Sequence, residues 1–199
     1  TLLITTGGTI ASRQSSEGLV PIDTGEVLAE KVPEIKGLAE IDICNLFSKD
    51  SSNINPDDWL LLTRKIYEKK EHYDSFLITH GTDTMAYTSA ALSYVLRDIG
   101  KPIVLTGSML PVSDPDTDAK SNLIDSFRFL EALCEKGQSG VSICFAGKLI
   151  HGPRAKKITA KSNDPFKSVY YSDIGIMENG RAKILKKPFI DKVTLVGQS

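Results

Sequence analysis

Short apolar runs recur along this chain, each breaking off at a cluster of Gly, Thr, Ser or Asp and then giving way to helical spacing. Leu2-Leu3-Ile4-Thr5 stops at Thr6-Gly7-Gly8-Thr9, and Phe76-Leu77-Ile78-Thr79 stops at His80-Gly81-Thr82-Asp83-Thr84. Ile103-Val104-Leu105-Thr106 runs into a long loop over 107–118, and a further strand is expected over 141–146. Ala39, Ile41 and Ile43 alternate with Glu40 and Asp42, the period of a strand with one solvated face, and lead into Ser48-Lys49-Asp50-Ser51-Ser52. Helices are expected between these runs. Asp23 with Glu26 reads as a capping box ahead of Val27, Leu28 and Val32, stopped by Pro33. Asn55-Pro56-Asp57-Asp58 places a cap, a proline and two acids at a helix start whose buried stripe is Trp59, Leu62, Ile66 and Tyr67. Residues 85–96 are rich in Ala, Leu and Tyr, and 122–136 put Leu123, Phe127, Leu130 and Leu133 on one side. Strands buried on both faces read as unbroken apolar runs, and their alternation with helices implies parallel pairing. The predicted fold class is therefore α/β: a doubly wound, mostly parallel sheet with helices on both faces. Two short runs, 174–177 and 182–185, flank Glu178-Asn179-Gly180-Arg181 and predict a C-terminal β-hairpin. Residues 11–21 are small, polar and glycine-containing, the composition of a mobile loop, and 193–196 read as one more strand.

Composition narrows the partners. The 199 residues are 41% hydrophobic and 25% charged, enough for one domain with its own core. Lys and Arg number 24 against 25 Asp and Glu, and a net charge of -1 gives no global attraction to nucleic acid or anionic lipid. The best local basic patch, Lys156-Lys157 with Lys161, is too short to replace it. Apolar runs fall far below the roughly 20 residues of a spanning helix, so no membrane partner is expected. Cys44, Cys134 and Cys144 form an odd set without CxxC spacing, each in an apolar stretch. They read as reduced core residues and favour a cytoplasmic home. The sequence begins at Thr1 with no signal peptide in view, a start compatible with an initiator or a longer leader having been removed.

In an open parallel sheet, ligands bind beyond the carboxyl ends of the strands, where loops converge and helix N-termini aim their amides. Four loops meet that rule: Gly7-Gly8-Thr9, Asp50-Ser51-Ser52, Gly81-Thr82-Asp83-Thr84 and Gly107-Ser108-Met109-Leu110-Pro111. Their inventory suits an amino-acid-like ligand, with hydroxyls and amides for a carboxylate and Asp83 for an ammonium. TGGT is neither GxGxxG nor GxxxxGK[ST], which argues against a nucleotide cofactor. His72, His80 and His151 stand apart from Cys and Glu at ligand spacing, so no metal is expected, and no other cofactor is implied. Plainer readings stand beside these. Thr9, Thr82 and Asp83 can serve as helix caps, Lys157 as a solvated charge with Lys156 as its rival, and His80 as a base or as a structural hydrogen-bond donor.

Thr5-Thr6-Gly7-Gly8-Thr9-Ile10-Ala11 and His80-Gly81-Thr82-Asp83-Thr84-Met85 resemble the paired signatures of the L-asparaginase/glutaminase family, the bacterial-type threonine amidohydrolases. Asp50-Ser51-Ser52 with Pro56-Asp57-Asp58-Trp59, then Gly107-Ser108-Met109-Leu110-Pro111 and Gly152-Pro153-Arg154-Ala155-Lys156-Lys157, extend the likeness across nearly the whole chain and bring it nearest the cytoplasmic type I branch. The resemblance implies Thr9 as nucleophile, with Thr82 as second hydroxyl and Asp83 and Lys157 as its activating pair. It implies Ser51 and Ser52 on the substrate carboxylate, Asp83 on its ammonium, and a Ser108 main-chain contact near the leaving amide. Ser51 and Ser52 remain interchangeable at one residue. The implied reaction converts asparagine and water to aspartate and ammonia through an acyl-threonine ester, with glutamine as a possible second substrate. A threonine hydroxyl attacks amides poorly unaided, so it needs a base or a proton relay, a part a lysine can take.

Two departures emerge from the same comparison. Many relatives carry a tyrosine in a mobile loop that closes over the substrate, where this chain has Leu19. Family members also continue into a smaller C-terminal domain, so residues 1–191 are expected to be the N-terminal domain and 192–199 a linker or the first strand of that C-terminal domain. In relatives a neighbouring subunit's C-terminal domain completes the site, which implies a homodimer or homotetramer at full length and weak activity for this stretch alone. Two alternatives stay open: the D subunit of glutamyl-tRNA amidotransferase, whose extra N-terminal domain is not visible here, and a non-catalytic amino-acid-binding fragment.

Overall fold

A computed structural model describes the backbone of residues 1–15, 18–21 and 24–188. In chain order the chain lays down β1 (Leu2–Gly7), β2 (Ser12–Ser15), β3 (Gly18–Pro21), α1 (Gly25–Lys31), β4 (Asp42–Lys49), α2 (Pro56–Lys69), β5 (Phe76–Thr79), α3 (Met85–Val95), β6 (Pro102–Thr106) and α4 (Ala119–Glu135). It continues through β7 (Gly140–Phe145), β8 (Lys148–His151), β9 (Ala155–Lys157), β10 (Phe166–Ser168), β11 (Gly175–Glu178) and β12 (Arg181–Ile184). Eight strands form one sheet in the order β12-β11-β8-β7-β6-β5-β1-β4. From β4 to β7 all pairings are parallel, whereas β8, β11 and β12 add on antiparallel. After β1 the chain moves to one side, to β4, and then crosses to the other, to β5. The strand order therefore reverses at β1, and a crevice opens beyond the carboxyl ends of β1 and β5.

Strand alternation divides the core into two layers. Leu3, Leu77, Val104 and Cys144 pack with Leu28 of α1 and with Leu123, Phe127 and Leu130 of α4. Leu2, Ile4, Phe76, Ile78, Ile103 and Leu105 pack on the opposite face with Leu62 and Ile66 of α2 and Met85 and Leu92 of α3. Helices cover both faces, so each central strand is buried throughout, and burying its apolar side chains contributes about 1.5–3 kcal/mol apiece.

Several expectations change. Residues 12–15 and 18–21 pair as an antiparallel hairpin, from Ser12 opposite Pro21 to Ser15 opposite Gly18, where the composition predicts a loop without strands. The polar run Ser-Arg-Gln-Ser has no apolar alternation to announce a strand. β8 carries no such signal either. It folds back on β7 through Ala146 (φ 49°) and Gly147 (φ 72°), and an alanine in the left-handed region is no turn signal. The Asn122 side chain holds that residue by accepting from the Ala146 N–H at 3.0 Å. Asn179 (φ 49°) and Gly180 (φ 74°) close the predicted hairpin β11–β12 in the same handedness. Cys144 is buried, but Cys134 is exposed near the end of α4, not in the core. The Leu19 side chain, Asp23 and the stretch 192–199 lie outside the described residues. Among those described, no helix is long and apolar enough to cross a membrane.

The start of α2 anchors one of the site turns. Asn55 Oδ1 accepts from the N–H groups of Asp57 and Asp58, and Asp58 Oδ2 accepts from the Asn55 N–H at 3.0 Å, a complete capping box. Lys49, the last residue of β4, donates to Asp58 Oδ1 at 2.6 Å and so fixes both ends of the Asp50-Ser51-Ser52 turn. Burial works to raise the Asp58 carboxyl, but Lys49 and the Asn55 N–H outweigh it and hold it below 3.8. Asp58→Ala removes cap and ion pair together, and a loss of about 1–2 kcal/mol is expected from chemical denaturation at pH 7. Because the folded carboxyl titrates below its unfolded value, that contribution is complete above pH 3.8 and fades as pH falls through the folded value, so variant and parent should converge in acid. Equal stability of the two at pH 7 would show that the cap and ion pair contribute nothing.

Candidate active site

Three turns at the strand ends pack against one another through glycines. Gly7 and Gly8 have φ of 100° and 86°, a region side-chain-bearing residues rarely adopt. A Cβ on Gly8 would sit 2.4 Å from the Gly81 nitrogen, and one on Gly81 would sit 2.6 Å from the Ser51 Cβ and Oγ. The turns after β1, β4 and β5 are thus closer than any side chain would allow. Between them lies a cavity of about 140 Å³ lined by Gly8, Thr9, Ser12, Asp50, Ser51, Gly81, Thr82 and Asp83.

The cavity brings Thr9, Ser51, Thr82 and Asp83 together. The Thr9 hydroxyl makes no hydrogen bond among the described residues. That of Thr82 accepts from Lys157 Nζ at 2.8 Å, and the same nitrogen donates to Asp83 Oδ1 at 2.6 Å. Lys157 comes from β9, where it pairs with Phe166 while Lys156 pairs with Lys167. Successive strand residues point to opposite faces, so only one of the two lysines can reach the turn. The Lys157 side chain is 15% exposed, and Lys156 is open to solvent.

Ser52 and Ser108 do not line this cavity. Ser52 is exposed and its backbone N–H donates to Asp50 Oδ1 at 2.8 Å. Ser108 is buried and its hydroxyl donates to the Leu110 carbonyl, which leaves the main chain for any ligand contact. Its loop is braced by Asp118, which accepts from the N–H groups of Met109 and Leu110, and by Asn122, which donates to the Gly107 carbonyl at 3.0 Å. Sequence reasoning assigned nothing to Asp50 or Ser12. Asp50 stood beside Ser51 in a strand-end turn, which was signal enough. Ser12 is buried, and its hydroxyl donates to the Gly8 carbonyl at 2.8 Å, a tie that only the fold of the first turn creates.

His80 is buried beneath the site, with Nδ1 at 2.7 Å from the Gly81 carbonyl and Nε2 at 2.9 Å from Thr88 Oγ1. Burial disfavours its cation and pushes its pKa down from 6.5 to about 4, against the Gly81 carbonyl's pull the other way. Both nitrogens are engaged, so the ring is a structural hydrogen-bonding group and not an available base.

The asparaginase N-terminal domain family matches residues 1–189. The chain belongs to the asparaginase family. An L-asparaginase of Thermococcus kodakarensis is 36% identical over 194 residues, covering 95% of this chain and 57% of that protein. The D subunit of a glutamyl-tRNA(Gln) amidotransferase of Pyrococcus horikoshii is 35% identical over 94% of this chain and 44% of its own length. Among solved structures, a probable cytoplasmic L-asparaginase of Campylobacter jejuni superposes with a TM-score of 0.84 at 30% identity, over 94% of this chain and 56% of the other. The chain thus spans about half the length of the relatives it matches.

A stability profile checks the His80 environment. Between pH 6.5 and about 4 the unfolded chain takes up a proton that the folded ring refuses, so stability falls as pH drops through that window. The loss should reach on the order of 3 kcal/mol at its acid end. His80→Asn, which has no titrating ring, should lose less over the same window in denaturation experiments at pH 7 and pH 4.5. Identical losses would contradict the buried neutral imidazole.

Proposed function

We propose that this asparaginase-family domain hydrolyses the side-chain amide of L-asparagine to L-aspartate and ammonia through an ester on Thr9, with L-glutamine as a second substrate. The observation that carries the reading is the Lys157 nitrogen bonded at once to Thr82 Oγ1 and Asp83 Oδ1, beside a cavity that also holds the unengaged Thr9 hydroxyl. Thr9 Oγ1 attacks the amide carbon. Its proton moves through the Thr82 hydroxyl to Lys157, a step that requires the lysine as its neutral amine with a lone pair toward Thr82, and the ammonium so formed returns a proton through the relay to the departing nitrogen, which leaves as ammonia. Water then cleaves the ester, releasing aspartate and restoring the Thr9 hydroxyl. Backbone N–H groups of the glycine turns stabilise the oxyanion of both tetrahedral intermediates. Ser51 holds the substrate carboxylate and Asp83, with Asp50 on the same wall, its ammonium. We place the protein in the cytoplasm, in line with three thiols free of disulfides, and the whole protein in a homodimer or homotetramer.

A second reading has a specific observation behind it, the amidotransferase relative at 35% identity over 94% of the chain. Ammonia release from asparagine and from glutamine, each with and without glutamyl-tRNA and measured side by side on the whole protein, separates the two. Asparagine should be the best substrate. Thr9→Ala should abolish turnover, and Lys157→Met should reduce it by about 10²–10⁴-fold, the usual worth of acid–base catalysis. Undiminished ammonia release by Thr9→Ala would remove Thr9 from its role, and release from glutamine that depends on glutamyl-tRNA would favour the amidotransferase reading.

A further inference from the structure

We propose that His80 is a positioning residue, fixing the Gly81–Thr82 peptide so that the Thr82 N–H faces the Thr9 cavity as an oxyanion donor. The inference rests on the preceding reading, that Thr9 attacks an amide carbonyl there. A line of hydrogen bonds runs from α2 through α3 to the end of β5. Trp59 Nε1 donates to Thr88 Oγ1 at 2.9 Å, and Thr88 Oγ1 lies 2.9 Å from His80 Nε2. His80 Nδ1 lies 2.7 Å from the Gly81 carbonyl. An indole N–H can only donate and a carbonyl can only accept, so in the neutral ring Thr88 donates to Nε2 and the ring proton sits on Nδ1. The ring stays neutral because burial holds its pKa near 4.

The carbonyl and N–H of a trans peptide point in opposite directions. With the Gly81 carbonyl turned onto the buried ring, the Thr82 N–H is directed away from it. Gly81 and Thr82 both line the cavity, and the Thr82 N–H has no acceptor among the described residues. Glycine is the residue most able to let such a peptide rotate, so the arrangement needs a restraint, and the imidazole supplies one. The backbone on the other side is already fixed, since the His80 N–H donates to the Thr106 carbonyl at 2.9 Å.

An oxyanion donor acts on the transition state and not on the bound substrate, so its misalignment lowers kcat and leaves KM alone. In the whole protein, His80→Ala is expected to lower kcat for asparagine by roughly 10–100-fold, with KM changed by less than about twofold. His80→Asn places an amide N–H near the position of Nδ1 and should recover most of the rate. His80→Gln reaches toward the Nε2 position and should not. Thr88→Val, which loosens the same line from its far end, should show a smaller fall in kcat alone and serves if His80→Ala does not fold. The KM for asparagine should stay within about twofold of the parent in all of these. An unchanged kcat in His80→Ala, an Asn variant no better than the Gln variant, or a fall in kcat accompanied by a larger rise in KM would overturn the proposal. A parent protein inactive on asparagine and glutamine would instead overturn the functional reading beneath it, together with the oxyanion assignment.

Discussion

Direct contact between glycine backbones at the ends of β1 and β5 is the constraint on which the site depends. Gly8 lies against Gly81, and Gly81 against Ser51, at separations that leave no room for a methyl group. The parallel sheet makes this possible because β4, β1 and β5 run side by side and end at the same level, with Thr5 opposite both Asn45 and Thr79. Their turns then emerge as neighbours on one rim. Residues 9, 51 and 82, far apart in sequence, meet around a space the size of a small amino acid because the backbone between them carries no side chains.

Lys157 reaches this rim from the other direction. After β7 the sheet turns antiparallel, and β8 returns the chain toward α3, where Gly152 again allows a close approach: a Cβ there would lie 2.5 Å from Ser93 Oγ. Ser89 Oγ donates to the Gly152 carbonyl at 3.1 Å, clamping the segment to the helix. The short strand β9 beyond it is therefore carried past the start of α3, where Thr82 and Asp83 lie. Two sets of close packing, one among strand-end turns and one on α3, converge on a single amine.

Much of this was legible in the sequence because the signals were local. Apolar runs ending in Gly-Thr clusters located β1, β5 and β6, Asn55-Pro56-Asp57-Asp58 located the start of α2, and Asn179-Gly180 located the last hairpin. What escaped depended on contacts distant in sequence. The first strand of the hairpin β2–β3 is a polar run, Ser12 to Ser15, with no apolar alternation, and the β7–β8 turn uses Ala146 in a conformation normally left to Asn or Gly, tolerated because Asn122 binds its N–H. The choice between Lys156 and Lys157 was undecided until strand pairing gave each a face. The part played by His80 was likewise hidden, since its partners, Thr88 and Gly81, are selected by helix packing and by a turn rather than by spacing.

One spatial expectation stands above the others: an amino acid bound in the cavity presents its side-chain carbonyl to two threonines at once. A crystal structure of the protein with aspartate bound is the direct measurement. The expected result is the side-chain carboxylate within hydrogen-bonding distance of both the Thr9 and Thr82 hydroxyls, with Lys157 still on Thr82 and the ligand's α-carboxylate at Ser51. Aspartate seated elsewhere, or with its side chain turned away from Thr9, would contradict it.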